Sequence, residues 1–449
     1  MLSMDVIVTE VTKENLEQLW PYVLKNVKNS SFIAMDAEMS GLGAKSDIMK
    51  SDVEQRYKGI CLGAQTHSII SLGLACFESD SENPFLYHVS VYNFILLCAD
   101  PFTIDPSAVS FLVNHGFNFN KQFSSGINYY RGNDKETANK FTMRKLFSEI
   151  IKLRKPLVLH NGLVDLVFLY QSFYADLPAT LNSFMADLCE IFPNGIFDCK
   201  YIAEFCDRLN ASYLLYVFKE NQLKNEELTA SGNPSLKVHF RMENEGAISI
   251  PLNIGGENGS KSIPEGEGVI CEKYAAYGWC AKGIGCKKSH NIDAIVHIHR
   301  SKKDNKRKRK RKKSSSETTE AQMDTKQTNP AVNTENGTTL NQNHVNKTAS
   351  HTQGHRSSLD SFMTGYVFAT YITSRCTDLC SALNRQDQTS NEDEAAFKSE
   401  IPNLTEENRN LVLNKLFLSG KPIPLQVRKS QYSKTSKHHT EKLLKVYLS

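Results

Sequence analysis

The sequence predicts an α/β fold with a mixed central sheet flanked by helices. Strand-like apolar runs come first, and helical segments follow and alternate with one further strand. This order is typical of helices packed on one sheet. A long stretch with little apolar content then interrupts the chain, and apolar sequence returns after residue 355. We therefore expect one domain that is split by an insertion.

Individual elements follow from apolar content and periodicity. Strands are predicted at 6–9, 32–35, 68–77, 85–94 and 156–160. Helical spacing predicts helices at 107–115, 140–152 and 163–173, and the segment 359–372 is apolar enough for a buried helix.

Composition sets the expected organisation of the 449 residues. The net charge of +4 hides an asymmetry, because eleven Lys or Arg residues lie between positions 300 and 313 and the rest of the chain is acidic. No apolar run reaches the ~20 residues of a membrane span, and no signal-peptide pattern opens the chain. Cysteines isolated in apolar context indicate reduced core residues of an intracellular protein. The predicted boundaries are a globular part at 5–224, a flexible insertion at 225–265, a Cys/His module at 266–295, a basic segment at 300–313, a disordered linker at 314–354 and a second globular part at 355–449.

Asp36 and Glu38 directly follow the apolar run of the second predicted strand. Residues i and i+2 of a strand point to the same side, so both carboxylates project together. Two adjacent carboxylates repel each other unless a proton or a metal lies between them. The simple alternative is a strand that ends in surface charge.

Two more segments place acids at the starts of helices. Asp165 follows His160 and the strand at 156–160, and Asp360 follows His355 at a spacing of five residues. Active sites of sheet folds gather at strand ends and the adjoining helix starts. Taken singly, each acid is more often a helix cap. The combination and order of these residues favour a shared site.

This combination resembles the DEDD superfamily of 3′→5′ exonucleases, in particular its DEDDh branch and the poly(A)-specific ribonuclease family. The resemblance lies in Phe-Ile-Ala-Met-Asp36-Ala-Glu38-Met-Ser-Gly, His-Asn-Gly-Leu-Val-Asp165, Gly116-Phe-Asn-Phe-Asn-Lys-Gln-Phe123 and the His355-x4-Asp360 pair. It implies an RNase H-like exonuclease fold whose two parts are the globular segments 5–224 and 355–449.

The resemblance also implies the roles of individual residues. Asp36, Glu38, Asp165 and Asp360 would bind two magnesium ions, and His355 would activate the attacking water. Four carboxylates match the charge of two divalent ions, and hard oxygen ligands suit magnesium. Met39 and Leu42 match positions that line the nucleotide site, with plain packing as the alternative reading.

A second metal site is predicted within the Cys/His module. Cys271, Cys280, Cys286 and His290 have the spacing C-x8-C-x5-C-x3-H, and three thiolates with one imidazole form a closed, structural zinc site. The spacing resembles CCCH zinc fingers, which commonly bind single-stranded RNA.

Aromatic and basic residues lie between these ligands. Stacking faces and cations are what single-stranded RNA recognition needs. The predicted RNA contacts are Tyr274, Tyr277, Trp279 and Lys282. In so small a module, at least one aromatic ring is expected to cover the zinc instead.

The run from Lys306 to Lys313 has the composition of a nuclear localisation signal that binds an import receptor. It could also grip phosphates, and the two roles are compatible. The split nuclease with a finger and a basic run resembles nuclear deadenylases associated with Cajal bodies. This implies trimming of adenosine-rich 3′ tails, with small nuclear RNAs as targets. The expected location is the nucleus, with nuclear speckles, the nucleolus or Cajal bodies as candidate compartments.

Two other functions stay open at this point. The chain could be a catalytically silent RNA-binding adaptor that retains the nuclease fold. It could also be an exonuclease directed at DNA, since the metal ligands do not distinguish the two nucleic acids. The 2′-hydroxyl would separate the substrates. Activity measured on matched ribo- and deoxyribo-oligonucleotides distinguishes all three functions.

Overall fold

The structure is a computed structural model that describes residues 4–135, 139–242, 247–252, 269–314, 356–383, 401 and 404–448. Its strands are β1 (Asp5–Val11), β2 (Phe32–Met39), β3 (Ile69–Ser79), β4 (Leu86–Cys98), β5 (Ile127–Tyr129), β6 (Leu157–Leu159), β7 (Ile196–Asp198), β8 (Lys237–Phe240), β9 (Ala247–Pro251), β10 (Lys415–Leu416) and β11 (Leu425–Gln426). Its helices are α1 (Leu16–Asn29), α2 (Lys45–Ile48), α3 (Val53–Thr66), α4 (Pro106–Asn114), α5 (Phe119–Ser125), α6 (Met143–Lys152), α7 (Leu163–Phe173), α8 (Leu181–Ile191), α9 (Cys199–Tyr201), α10 (Leu214–Ala230), α11 (Glu272–Tyr277), α12 (Ile292–Ser314), α13 (Ser357–Leu383), α14 (Glu406–Val412) and α15 (Lys437–Leu448).

The strands form one mixed sheet with the order β11-β10-β7-β6-β2-β3-β4-β1-β9. Strands β2, β3 and β4 are antiparallel, whereas β6 is parallel to β2 and to β7. Strands β5 and β8 also pair with β4. The predicted α/β class, with a mixed central sheet flanked by helices, is confirmed.

Strand β2 runs through the centre of the sheet and is buried on both faces. Its odd-numbered side chains pack in the core cluster that includes residues of α1, α6 and α7, and Phe32 and Ala34 pack in the cluster that includes α13. Side chains alternate along a strand, so Asp36 and Glu38 point to the same face as Phe32 and Ala34. The alternation therefore directs both carboxylates toward α13.

Helix α13 approaches the sheet closely because glycines lie at two contact points. A Cβ atom at Gly73 of β3 would lie 1.9 Å from the carbonyl oxygen of Ser357, and one at Gly365 of α13 would lie 2.0 Å from the ring of Phe77. The hydroxyl of Ser357 is 2.6 Å from that of Ser71. The first turn of α13 is thereby fixed against β3, next to the end of β2.

The predicted flexible insertion contributes to the sheet. Strand β8 pairs in parallel with β4, and β9 pairs antiparallel with β1, although both lie within 225–265. The prediction of a flexible stretch is therefore corrected for these strands. Each strand is only four or five residues long and most of its side chains are exposed or half-buried, so the sequence signal is weak. Residues 315–354 of the predicted linker lie outside the described residues, and the other boundaries stay predictions.

Two simpler expectations concern membranes and cysteines. None of the helices in the described ranges is both long and apolar enough to cross a bilayer. Cys61, Cys76 and Cys98 are buried core cysteines, as the apolar context of each predicted.

Candidate active site

Three carboxylates from the two ends of the chain meet at the end of β2. One oxygen each from Asp36, Glu38 and Asp360 can be chosen so that all lie within 4.8 Å of one another. Asp360 is buried in the first turn of α13, with 7% of its surface exposed. The alternation of β2 and the close approach of α13 thus assemble three of the four acids that the sequence motifs predicted.

Asp165 lies beside this group without being a member of it. It occupies the first turn of α7, where burial raises the pKa of its carboxyl to about 7. A backbone hydrogen bond from Ala37 opposes that shift, and the charge of Asp198 adds to it. The contact with Ala37 links α7 to β2 between the two acids of that strand.

The carboxylates repel one another electrostatically. Burial raises the pKa of Asp36 well above its ordinary range, and the charges of Asp360, Asp165 and Glu38 raise it further. A cation is the natural complement of such a site, and carboxylate oxygens are the ligands that magnesium prefers. The residues present therefore fit a divalent cation.

Asp198 fixes the loop that leads into α7. It is fully buried, and its Oδ1 accepts hydrogen bonds from the backbone N–H groups of Asn161 and Lys200, each at 2.9 Å. Its Oδ2 accepts one from the N–H of Phe417 at 2.9 Å. Asn161 needs this support because its φ of +64° is a left-handed conformation that few non-glycine residues adopt. Sequence reasoning missed Asp198, which by itself looks like an ordinary helix cap.

His160 is a half-buried residue at the end of the β6 segment that leads into α7. Its Nε2 lies 2.9 Å from the carbonyl oxygen of Ser212. Burial lowers the pKa of the imidazole to about 3, and the charge of Lys200 acts in the same direction. The ring is therefore neutral at physiological pH, and its Nε2 donates to Ser212.

The remaining predicted catalytic-site residues differ in their surroundings. Met39 is partly buried and packs against the core cluster, whereas Leu42 is exposed. His355 lies outside the described residues, directly before Arg356 and α13. The nucleotide contacts of Met39 and Leu42 and the catalytic role of His355 stay predictions.

The Cys/His module (residues 269–303) brings together the second predicted ligand set. One ligand atom each from Cys271, Cys280, Cys286 and His290 can be chosen so that all lie within 4.8 Å of one another. A backbone hydrogen bond from Tyr274 lowers the pKa of Cys271, which favours the thiolate form that binds metal. This donor set fits a structural zinc ion.

The aromatic residues of the module divide into two kinds. The ring of Tyr274 stacks on His290 with a centroid distance of 4.3 Å and an interplanar angle of 6°, and it also contacts Tyr213. Tyr277 and Trp279 are 68% and 60% exposed. Tyr274 is thus the ring that covers the metal ligands, while Tyr277 and Trp279, with the exposed Lys282, form an open surface.

Comparison with known families decides the relationship of the chain. The family model for the CAF1 family ribonuclease matches residues 11–142 and 134–368. The chain belongs to the CAF1 ribonuclease family. This confirms the relationship to poly(A)-specific ribonucleases and the ribonuclease class that the motifs indicated. We call the sheet with α1–α10 and α13–α15 the CAF1 domain.

Two relatives and one solved structure illustrate the CAF1 relationship. The chain is 26% identical over 260 residues to the pre-piRNA 3′-exonuclease trimmer of Bombyx mori, covering 56% of the chain and 45% of the trimmer. It is 28% identical over 134 residues to the poly(A)-specific ribonuclease PARN of Danio rerio, covering 27% of the chain and 20% of PARN. The chain thus spans less than half the length of these relatives. The Mg²⁺- and Mn²⁺-bound structure of S. pombe Pop2p is 18% identical with a TM-score of 0.38, covering 49% of the chain and 83% of Pop2p.

The Cys/His module is docked on the CAF1 domain through α10 and α12. Tyr216 of α10 is fully buried in an apolar cluster with Ile295 and Val296 of α12. A Cβ atom at Gly278 would lie 2.6 Å from the ring of Tyr213, so the module also approaches the start of α10 closely. These contacts make the module a fixed part of the molecule.

Charged groups surround the apolar contact. Lys219, whose side chain is 7% exposed, forms an ion pair of 2.6 Å with Asp293. Arg300 pairs with Glu220 at 2.7 Å and with Glu227 at 2.5 Å. Helix α12 continues into the basic run as far as Ser314, although the side chains of Lys306 to Lys313 lie outside the described set.

Proposed function

We propose that the chain is a magnesium-dependent 3′→5′ exoribonuclease that releases nucleoside 5′-monophosphates from adenosine-rich 3′ tails. The observation that carries the proposal is the group formed by Asp36, Glu38 and Asp360, with Asp165 beside it, in a chain of the CAF1 ribonuclease family. The names of the trimmer and of PARN, which record a 3′-exonuclease and a poly(A)-specific ribonuclease, support the direction and the substrate.

Asp36, Glu38, Asp165 and Asp360 would hold two magnesium ions. Four carboxylates complement two divalent charges. The pKa of Asp36 is raised by its burial and further by the neighbouring carboxylates, whose repulsion such ions would relieve. When bound, the ions would supply an activated water and neutralise charge on the phosphate. His355, placed by its spacing before Asp360, would accept the proton of the attacking water.

The rest of the chain positions these groups. Asp198 holds the backbone between β6 and α7 through hydrogen bonds of 2.9 Å and so sets the position of Asp165. Neutral His160 ties the same loop to Ser212, which directly precedes the module contact Tyr213. The burial of Asp360 limits the access of bulk water to one side of the site.

The Cys/His module would grip RNA upstream of the 3′ end. Tyr277 and Trp279 offer exposed rings for base stacking, and Lys282 offers a cation for phosphate. One structural zinc ion would hold the module together. The run from Lys306 to Lys313 would bind a nuclear import receptor, and small nuclear RNAs would be the substrates in the nucleus, including Cajal bodies, nuclear speckles or the nucleolus.

The test follows a 5′-labelled RNA that ends in adenosines. Magnesium is omitted and then restored, without a chelator, so that zinc stays in the Cys/His module. We expect products that shorten stepwise from the 3′ end only with magnesium and not with Asp36→Ala. RNA binding without shortening across several tails and metals would instead favour the adaptor function. If a matched DNA is shortened at the same rate, the enzyme does not select RNA through its 2′-hydroxyl groups.

A further inference from the structure

A basic groove lies on the outer surface of the CAF1 domain, between α1, α6 and α15. Its volume is about 510 Å³. Its lining includes Trp20 of α1, Lys140, Lys145 and Lys152 in and before α6, and Lys442 and Lys445 of α15. The lysines come from two segments that lie far apart in the sequence, so only the folded chain gathers them.

Nearby acids compensate only part of this charge. Glu149 lies 2.9 Å from Lys152, and Asp134 lies 2.5 Å from Lys442. In the described part of the chain, no carboxylate forms an ion pair with the other three groove lysines. The groove therefore retains a net positive charge, which attracts a polyanion.

The lysines of α15 are held at the groove by a docked helix. His439 of α15 is fully buried, with Nδ1 at 2.9 Å from the hydroxyl of Tyr174 and Nε2 at 2.8 Å from Glu190. Burial lowers the pKa of Lys442, and the charges of Arg144 and Lys445 contribute to the shift. The fold thus holds like charges together at some cost, which a bound polyanion would offset.

The groove lies on the opposite side of β2 from the carboxylate site, because Met35 faces α6 whereas Asp36 faces α13. Met143, at the start of α6, lines the same internal cavity as Met35, the neighbour of Asp36. The inner side of α6 therefore packs beneath the catalytic strand, and its outer side forms a wall of the groove. RNA that leaves the active site would therefore reach this basic surface only by passing around the sheet, which requires a substrate much longer than a trinucleotide.

We propose that this groove is a second binding site for single-stranded RNA, which holds the body of the substrate while its 3′ end is trimmed. Lysines spaced along a helix suit the regular phosphates of a nucleic-acid backbone. Trp20 adds a partly buried aromatic ring, held edge-on by Phe141 at 5.4 Å, and such rings accompany basic grooves in single-strand binding. These features favour RNA over an acidic protein segment. The proposal rests on the proposed ribonuclease function.

The test compares two pairs of charge reversals in the full-length chain. Lys145→Glu with Lys445→Glu changes two exposed groove lysines, and Lys58→Glu with Lys237→Glu changes two exposed lysines on α3 and β8, away from the groove. Affinity is measured in magnesium-free buffer for RNAs of about 4 and about 30 nucleotides, below and above the usual site size of one such groove. Release of a nucleotide from a trinucleotide in magnesium is measured in parallel.

We expect the groove variant to bind the long RNA at least about 5-fold more weakly, with a salt dependence reduced by about 0.7 for each lost phosphate contact. The short RNA and the trinucleotide reaction should be unchanged. Affinity for long RNA equal to that of the control pair would overturn the proposal. A groove variant that loses affinity for poly-glutamate but keeps its affinity for RNA would also overturn the proposal. Loss of RNA affinity in a chain that never shortens RNA would refute the proposed function and leave the groove as an RNA site.

Discussion

The carboxylate site and the Cys/His site gather their ligands in opposite ways. The predicted zinc ligands lie within one short segment, from Cys271 to His290, whereas the acids run from Asp36 to Asp360 and meet only through the sheet and α13. The Cys/His site builds its own surroundings, whereas the carboxylate site is placed in surroundings that the fold already provides. Loss of one zinc ligand should therefore unfold its module, and loss of one acid should abolish chemistry without unfolding the domain.

The most direct test of this difference between the sites is Asp360→Asn, which removes the acid that is most distant from the others in the sequence. We expect nucleotide release to fall by more than about 100-fold, beyond the cost of losing a residue that merely supports a metal ligand. Thermal unfolding without magnesium should occur at the same or a higher temperature, because one repelled charge is gone.

Asp207→Asn is the matched control for this variant. Asp207 pairs at 3.0 Å with Arg375 of α13, the helix that also carries Asp360, and the pair is partly exposed. Such a pair contributes about 0.2–1 kcal/mol, so activity should be kept. A severe loss of stability in Asp360→Asn would mean that the carboxylate site also builds its surroundings.

A positioning residue should show an intermediate effect. Asp198→Asn replaces one acceptor oxygen with a donor opposite a backbone N–H, and we expect kcat on a trinucleotide to fall about 10–100-fold. More magnesium should be needed for half-maximal rate. Asp187→Asn is the control, since Asp187 is equally buried and accepts from Ser436 and Tyr170 at 2.9 Å each. It should lower the melting temperature without changing the magnesium requirement.

The zinc site is tested by Cys280→Ser. We expect bound zinc to be lost and the affinity for long RNA to fall by about 10-fold, since stacking on one exposed ring contributes about 1–3 kcal/mol. Trinucleotide turnover should change much less. Cys189→Ser, a change at a free cysteine outside the ligand set, should keep the zinc. Equal losses on the trinucleotide and on long RNA would show that the module supports catalysis directly.

The pH dependence of metal-free stability separates the two sites further. Because burial raises the pKa of Asp165 to about 7, its folded-state proton stabilises the domain at low pH, and that contribution is lost as pH rises through 7. We expect the melting temperature to fall from about pH 4, near the unfolded pKa, to about pH 7, and this contribution to level off above that, in the absence of magnesium. Asp165→Asn should flatten this fall. If the melting temperature of the variant changes with pH as it does in the unmodified chain, a group other than Asp165 causes the pH dependence.

Sequence alone identified the residues that meet in both clusters but little of what surrounds them. Asp36 and Glu38 share a face because of strand alternation, and the Cys/His spacing is local, so both signals are contained in a few residues. Asp198 and the docking face of α10 depend on contacts between distant segments. Tyr216 and Glu220 recur at helical spacing on α10, yet nothing in that pattern names α12 as the partner. Strands β8 and β9 were not predicted because they are short and most of their side chains are exposed or half-buried.

The smallest predicted effect concerns how the module is held on the CAF1 domain. Arg300 pairs with Glu220 and Glu227, but its side chain is 27% exposed and that of Glu227 is 68% exposed. Ion pairs of this kind contribute about 0.2–1 kcal/mol, less than burial of Tyr216 against Ile295 and Val296. Arg300→Ala should therefore lower the unfolding free energy by less than about 1 kcal/mol. Lys302→Ala, at an exposed position on the same helix, should lower it still less. A cost for Arg300→Ala above about 2 kcal/mol, twice the upper value for such pairs, would mean that charge rather than apolar burial fixes the module in place.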